Sequence, residues 1–408
     1  MPRLLALLLV LFVASVATVA TAEGSPDKDS PYSDLQSVAA FDQLMSTVAE
    51  LRSAILADAT SEQEAAEGMR FILRVLAMSQ DVTGDGYPAA PHFARMDTGR
   101  RKVGGDNPDG EYYTLAWDGK RDYKISGNLG TADHLSFSVQ AMQRTGRSKA
   151  LGYANERTLG ADKAGNYTLW LTAEKPEGPG FWVKTGPAAG FGSVLVREYF
   201  GDRSTEKPAT LHVEVVGRER YAPLAPSTDA EVARSIRGTR FAFQGIGLLH
   251  RYVSPSIVDP PNRFLRRNSD DFGADISSPD NLYLISPYAI GPDEALIVEV
   301  DPLDVRFWNF AIENPWHESV DYAERRTSRT HDAVQVDPDG KVRFVVAHAP
   351  TDHPNYLETA GHSRGFMTFR WVGEPNTQTP LPEVTRLPLA QASSRAQALA
   401  GGNEPGED

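Results

Sequence analysis

The 408-residue chain carries a formal net charge of -13, has no cysteine, and is 41% hydrophobic. The acid excess argues against nucleic acid and anionic membranes as partners, because both are polyanions. Without cysteine there are no disulfides, so stability rests on an ordinary hydrophobic core, for which a chain of this length suffices.

Residues 1–22 read as a secretory signal peptide. Arg3 precedes an apolar run from Leu4 that loosens into Ala and Thr and ends at Ala20-Thr21-Ala22. The run is nearly long enough to span a bilayer, yet Ser15, Thr18 and Thr21 thin it where a retained anchor would stay apolar. No later apolar run is long enough to span a membrane, so a soluble mature protein is expected, periplasmic or secreted, with no membrane insertion after cleavage.

Residues 23–80 are expected to hold a polar linker and two helices. The second helix starts at a capping box, Ser61-Glu62-Gln63-Glu64, and Met69, Ile72, Leu73 and Leu76 supply its apolar face. From 81 to 225 the period becomes strand-like. Residues 111–117 and 121–125 flank Asp118-Gly119, a hairpin signal, and further strands are expected at 134–139, 167–173, 181–184, 193–199 and 209–216.

A connecting helix begins at a second capping box, Thr228-Asp229-Ala230-Glu231, with Val232, Ile236, Phe243 and Ile246 at near-helical spacing. The region 226–375 then returns to strands at 282–285, 295–300, 305–312, 333–336, 342–347 and 367–372, with Asp337-Pro338-Asp339-Gly340 as a tight turn. The Gln-, Pro-, Ser-, Ala- and Gly-rich stretch 376–408 is expected to be disordered.

These elements predict a mainly β protein. Two β-sandwich or jelly-roll-like halves follow an N-terminal helical segment and are joined by one helix. Asn107-Pro108-Asp109-Gly110-Glu111-Tyr112 and Ser278-Pro279-Asp280-Asn281-Leu282-Tyr283 share a phrase, which admits a duplicated fold but is also common turn chemistry.

Cofactor motifs are missing. Asp81-Val82-Thr83-Gly84-Asp85-Gly86 imitates the start of a calcium loop, but His92 stands where its closing Glu belongs, so a helix-terminating turn is the better reading. The Gly-rich stretch 178–192 lacks phosphate-loop spacing, and Gly190-Phe191-Gly192-Ser193 lacks the nucleophile elbow.

The concentrated chemistry lies between Trp308 and Trp371. Trp308, Trp316 and Tyr322 offer aromatic walls, and Asn314, Asp321, Arg326 and Arg364 offer polar heads, the composition of a pocket for a small or oligomeric polar ligand. His348, His353 and His362 crowd one loop. As a zinc site they would each need an orienting partner, and no metal or other cofactor is expected. A single-histidine role is the sharper alternative: His362 as acid or base, oriented by Glu358 or Asp321, with Arg326 or Arg364 stabilising negative charge in a hydrolase or lyase on a glycan-type substrate. A third reading is an interaction protein without a pocket. Oligomeric state is not legible.

The order Ser278-Pro279-Asp280-Asn281, Asp293-Glu294-Ala295-Leu296, Phe307-Trp308, Asn314-Pro315-Trp316, Ser319-Val320-Asp321-Tyr322, Asp337-Pro338-Asp339-Gly340, Asn355-Tyr356-Leu357-Glu358-Thr359-Ala360-Gly361-His362 and Arg370-Trp371 resembles the bacterial domain of unknown function numbered twelve-fourteen. The resemblance covers about residues 275–372. Upstream, Gly104-Gly105-Asp106-Asn107-Pro108-Asp109 and Tyr123-Lys124-Ile125-Ser126-Gly127 are similar to the segment preceding the domain in longer members. It implies a largely β, jelly-roll-like, often exported protein, and no reaction. Asn355, Asp280 and Asn281, which lie in its motifs, join the ligand-binding candidates. His353 stands where the family usually has a small apolar residue.

Overall fold

A computed structural model of the protein describes residues 30–102, 104–142, 148–218, 226–253, 260–266, 279–373 and 379–401, the side chains of 248–253 aside. The expected signal peptide lies outside the described residues. Among the described residues no helix is long and apolar enough to cross a membrane.

Two helices come first, α1 (Gln36–Asp58) and α2 (Glu62–Ser79). The first half follows with β1 (Ala94–Arg95), β2 (Gly110–Asp118), β3 (Tyr123–Asn128), β4 (His134–Met142), β5 (Ser148–Asn155), β6 (Asn166–Thr172), β7 (Phe181–Lys184), β8 (Phe191–Tyr199) and β9 (His212–Val215). Helix α3 (Asp229–Val253) leads to the second half. That half comprises β10 (Leu265–Arg266), β11 (Asn281–Ala289), β12 (Glu294–Val300), β13 (Phe307–Glu313), β14 (Ser328–Thr330), β15 (Val342–Ala347), β16 (Tyr356–Glu358), β17 (Arg364–Val372) and β18 (Glu383–Pro388), before a last helix α4 (Ala392–Ala400).

The two halves have one topology. The first has sheets in the order β1-β2-β8-β4-β5 and β7-β6-β3-β9; the second has β10-β11-β17-β13-β14 and β16-β15-β12-β18. The registers agree as well. The last residue of β8, Tyr199, pairs with the first of β2 and the first of β4, as Val372 of β17 pairs with the first of β11 and of β13. The shared Pro-Asp phrase therefore marks equivalent positions: the carbonyl of Asp109 accepts from Phe200 just past β8, and that of Asp280 from Gly373 just past β17.

Each sandwich closes on its own apolar face. Leu115, Trp117, Phe137 and Val196 fill the first, and Leu284, Phe310, Phe369 and Trp371 the second. Strands β4, β13 and β17 are buried along nearly their whole length, on both faces. Their second, polar faces meet at a seam between the halves, where the Tyr199 ring stacks on Phe307 with centroids 5.3 Å apart.

The box at the start of α3 forms in both directions, while at the start of α2 the Glu64 carboxylate reaches back to the Thr60 N–H rather than to that of Ser61. The Ser61 hydroxyl accepts from the Glu64 backbone N–H at 3.1 Å, and at the start of α3 the Glu231 carboxylate accepts from the Thr228 N–H at 2.8 Å. The buried face of α2 is Gly68, Phe71, Ile72, Val75 and Met78, while Leu73 is 67% exposed. The helix is turned relative to the expected face because α1, Phe243 of α3 and Trp316 of the second half pack there.

Other expectations need correction. Asp118-Gly119 is a corner rather than a hairpin turn, since β2 and β3 belong to different sheets. Residues 334–336 form no strand; a one-turn helix at His331–Ala333 precedes them, and the Asp337–Gly340 turn follows. The stretch from 376, expected to be disordered, supplies β18, which pairs along β12, and α4, which buries Ala392 and Ala396 beside Ile297 and Val345. Its apolar residues are spaced for one strand and one short helix, and composition hides that.

Trp316 is 1% exposed and its indole N–H donates to the Glu64 carbonyl at 2.9 Å, pinning the helices to the second half. Trp316→Ala should cost about 3–5 kcal/mol in urea unfolding, as large-to-small changes in cores do. A loss under about 1 kcal/mol would mean the helical layer is not docked through this ring.

Candidate functional site

The end of the second half between Trp308 and Arg364 is sealed by α2. Glu64 and Glu67 are three residues apart, so both carboxylates leave the same helix face. The Arg364 Nη2 donates to Glu64 at 2.7 Å, and the His362 Nε2 lies 2.7 Å from Glu67. The other ring nitrogen of His362 meets the Thr359 carbonyl at 2.8 Å. Arg74 of α2 bonds Glu318 at 2.6 Å, and Asn314 bonds Glu318 at 3.0 Å and Glu67 at 3.3 Å.

The remaining predicted residues scatter. Trp308 lies in the core against Trp371, with centroids 5.1 Å apart. The Asn355 amide donates to the Gln335 and Arg343 carbonyls at 2.7 and 3.0 Å. Glu358 pairs with Arg325, and the Arg326 carbonyl accepts from the Glu358 N–H at 2.7 Å. His362 is thus oriented by Glu67 and not by Glu358 or Asp321. His348 meets the Thr359 hydroxyl at 2.6 Å, and His353 accepts from the Asn355 N–H at 3.2 Å, so the three histidines serve separate local bonds.

What the fold does bring together is a buried charged cluster where residues 97–109 of the first half meet β13, residues 314–322 and β17. Glu313 and Arg370 are 0% and 2% exposed, and Arg370 Nη2 donates to Glu313 at 2.8 Å. The same nitrogen reaches the Gly105 and Asp106 carbonyls at 2.8 and 3.2 Å. His317 binds the other Glu313 oxygen. Burial disfavours the Glu313 charge, but His317 and Arg370 outweigh it and hold the carboxyl down at about 2.

His317 has φ of 59°, a left-handed conformation uncommon outside glycine. Stacking on Phe366 at 4.4 Å and the 2.7 Å bond from the Gly105 N–H to its carbonyl hold it there. Asp106 accepts from the Ser319 N–H at 2.9 Å, and burial raises its pKa. Lys102, 3% exposed, has Asp321 at 3.8 Å and the Tyr322 ring at 4.7 Å; burial depresses its ammonium against the pull of Asp106 and Asp321. Asp97, which accepts from the Tyr112 N–H at 2.9 Å, is pushed up to about 7 by burial and the Asp106 charge. Perturbed groups this dense are typical of functional sites, though ion-pair networks produce them too.

The cluster continues along the seam. Asn309 donates to Asn107 at 2.5 Å and Asp109 at 2.8 Å; Asn281 donates to the Tyr199 and Tyr283 hydroxyls at 3.1 and 2.9 Å. Asp280 accepts from Arg306 at 3.3 Å and from Tyr153 at 2.5 Å. Of the sequence candidates, Asp280 and Asn281 line this seam, and Asp321 and Tyr322 rim the Lys102 end. Glu313, His317, Arg370, Lys102 and Asp106 escaped the sequence reading. Asp106, His317 and Arg370 stood within or beside quoted motifs, but no spacing rule joins residues some 200–265 positions apart.

His362 supplies a pH test. Burial opposes its charge, yet Glu67 outweighs it and raises its pKa above the ordinary 6.5. Its contribution to stability is complete below that ordinary value and is lost as pH climbs through the raised folded value. His362→Gln should cost about 1.5–3 kcal/mol at pH 6, the range of charged hydrogen bonds. Urea midpoints should show the gap to wild type narrowing toward pH 9; a gap independent of pH would mean that folding leaves the pKa of the ring unchanged.

Comparison with known proteins adds a fold relative and a family. A crystal structure of an uncharacterised protein from Burkholderia cenocepacia is 28% identical with TM-score 0.78, covering 87% of this chain and 99% of that one. A protein from Vibrio parahaemolyticus is 12% identical with TM-score 0.46, covering 77% of this chain and all of that one. No curated protein matches. Residues 295–375, from β12 through the buried cluster to the end of β17, match the model of the family described as "Protein of unknown function (DUF1214)".

Proposed function

We propose that the protein is an exported binding protein for a polar ligand small enough to lie at the seam between its two β halves. One observation carries this reading. Around Arg370, five buried polar atoms have no hydrogen-bond partner among the described residues: Arg370 Nε and Nη1, Asn107 Nδ2, Asn309 Oδ1 and Thr368 Oγ1. Buried polar groups are nearly always bonded, and leaving one unmet costs about 1–3 kcal/mol. A polar guest that meets them would relieve that cost. The N-terminal apolar run supports export.

This reading moves the ligand away from the Trp308–Arg364 end, where α2 already answers His362, Arg364 and Asn314. A hydrolase or lyase working through His362 has less behind it, because both ring nitrogens are engaged by the protein. The test is a thermal-shift screen of the mature protein against glycan, lipid and phosphonate panels. A true ligand at about 100 Kd should add roughly 2.7 kcal/mol of stability. Native mass spectrometry and the full panel both coming up blank would overturn the binding reading.

A further inference from the structure

The repeated architecture allows the seam to be compared with itself, position by position. Arg197 and Arg370 are equivalent: each lies two residues before the end of its strand, β8 or β17. Each is flanked by the first strand's tyrosine, Tyr112 or Tyr283, and by the third residue of β4 or β13, Ser136 or Asn309. In the first half Arg197 Nη1 donates to the Ser138 hydroxyl at 3.0 Å. The equivalent of Ser138 is Ala311, which pairs with Thr368 as Ser138 pairs with Leu195. The second half has therefore lost the hydroxyl that answers this arginine, and it has gained one, on Thr368, where the first half is apolar. Both Arg370 Nη1 and Thr368 Oγ1 are left without a partner.

The unmet groups also have a composition. Three are nitrogens that only donate, Arg370 Nε, Arg370 Nη1 and Asn107 Nδ2, against one carbonyl oxygen, Asn309 Oδ1, and one hydroxyl, Thr368 Oγ1. Their natural complement is rich in acceptors and carries one donor. The Arg370 charge faces a single directly bonded carboxylate, Glu313, which it shares with His317. An anion is thus admissible at the guanidinium, where charge-assisted bonds are strongest. All four side chains are at most 2% exposed, so the closed seam leaves no open space beside them and must widen to hold a guest.

Resting on the binding reading above, we infer that the guest is a small hydroxycarboxylate, its carboxylate on Arg370, Asn107 and Thr368 and its hydroxyl donating to Asn309. The carboxylate would take up Nη1, the nitrogen whose equivalent on Arg197 is answered by Ser138 in the other half. Enclosure requires the seam to open for entry, so exchange is slow and the guest is best offered during refolding.

The experiment refolds the full mature chain from urea with sodium lactate, sodium glycolate, sodium acetate, propane-1,2-diol or sodium chloride at matched ionic strength, and reads melting temperature. Lactate or glycolate should raise it in a dose-dependent way, with acetate at least tenfold weaker and chloride without effect. Ala311→Ser gives Arg370 the partner that Arg197 has; it should fold with a wild-type circular dichroism spectrum and lose the carboxylate response. Thr368→Val, nearly isosteric, should weaken the response at least threefold and serves if Ala311→Ser does not fold. A full response in both variants would place the guest elsewhere. If the diol stabilises and the carboxylates do not, the ligand class is wrong while the binding reading stands. No response to any of these probes overturns the inference, and the wider panel then decides the binding reading on its own.

Discussion

The Glu313–Arg370 pair is the constraint around which the two halves are arranged. Each sandwich buries most of its apolar residues against itself, so what remains for joining the halves is the opposite face of β4, β8, β13 and β17, where Tyr199, Phe307 and Val372 form a small apolar cluster among Ser136, Arg197, Asn309, Glu313 and Arg370. Bringing charges into such a seam costs several kcal/mol per ion unless geometry and additional hydrogen bonds compensate. Glu313 compensates by accepting from Arg370 and binding His317, Arg370 by donating to two carbonyls of the loop at 105–106, and Asp106 by holding Ser319. The bonds connect residues of both halves, so a shift of one sheet by a single pleat would strand several of them at once. A nonpolar seam would tolerate sliding; this one is keyed.

Helix α2 extends the same logic outward. Its carboxylates Glu64 and Glu67 neutralise Arg364 and His362, and its Arg74 neutralises Glu318. The helical layer is therefore an electrostatic counterpart of the second half, fixed by the Trp316 ring. The residues that look most like a catalytic loop are there to receive a helix.

Much of the fold was legible because it is local. The strands at 181–184 and 342–347 and both helix N-caps follow from side-chain period and backbone chemistry within a few residues. The site was not legible, for a physical reason that His362 illustrates. Its partner Glu67 is 295 residues away, and sequence proximity favoured Glu358, which in fact answers Arg325. The alternation in β4, with Ser136 and Ser138 between Leu135, Phe137 and Val139, is the signature of a sheet with one wet face. Here that face is dry because a second sheet covers it, and a pattern of polar residues cannot announce what lies opposite. The tail misled in the converse way: Val384 and Leu387 suffice to add a strand once β12 offers an edge.

The span that matches the family model leaves out strands that complete both sheets of the second half. Residues 295–375 contain β17 but not β11, its neighbour on one side, and β12 but not β18. Cut at those limits, both sheets would present a bare edge with unpaired backbone groups, a template for aggregation. Even the complete second half would carry Arg364 and Arg370 to the surface with no carboxylate of α2 and no loop carbonyl of the first half to receive them. Heredity and folding have drawn different borders on this chain: the segment recognisable between relatives is shorter than the sheets its strands belong to.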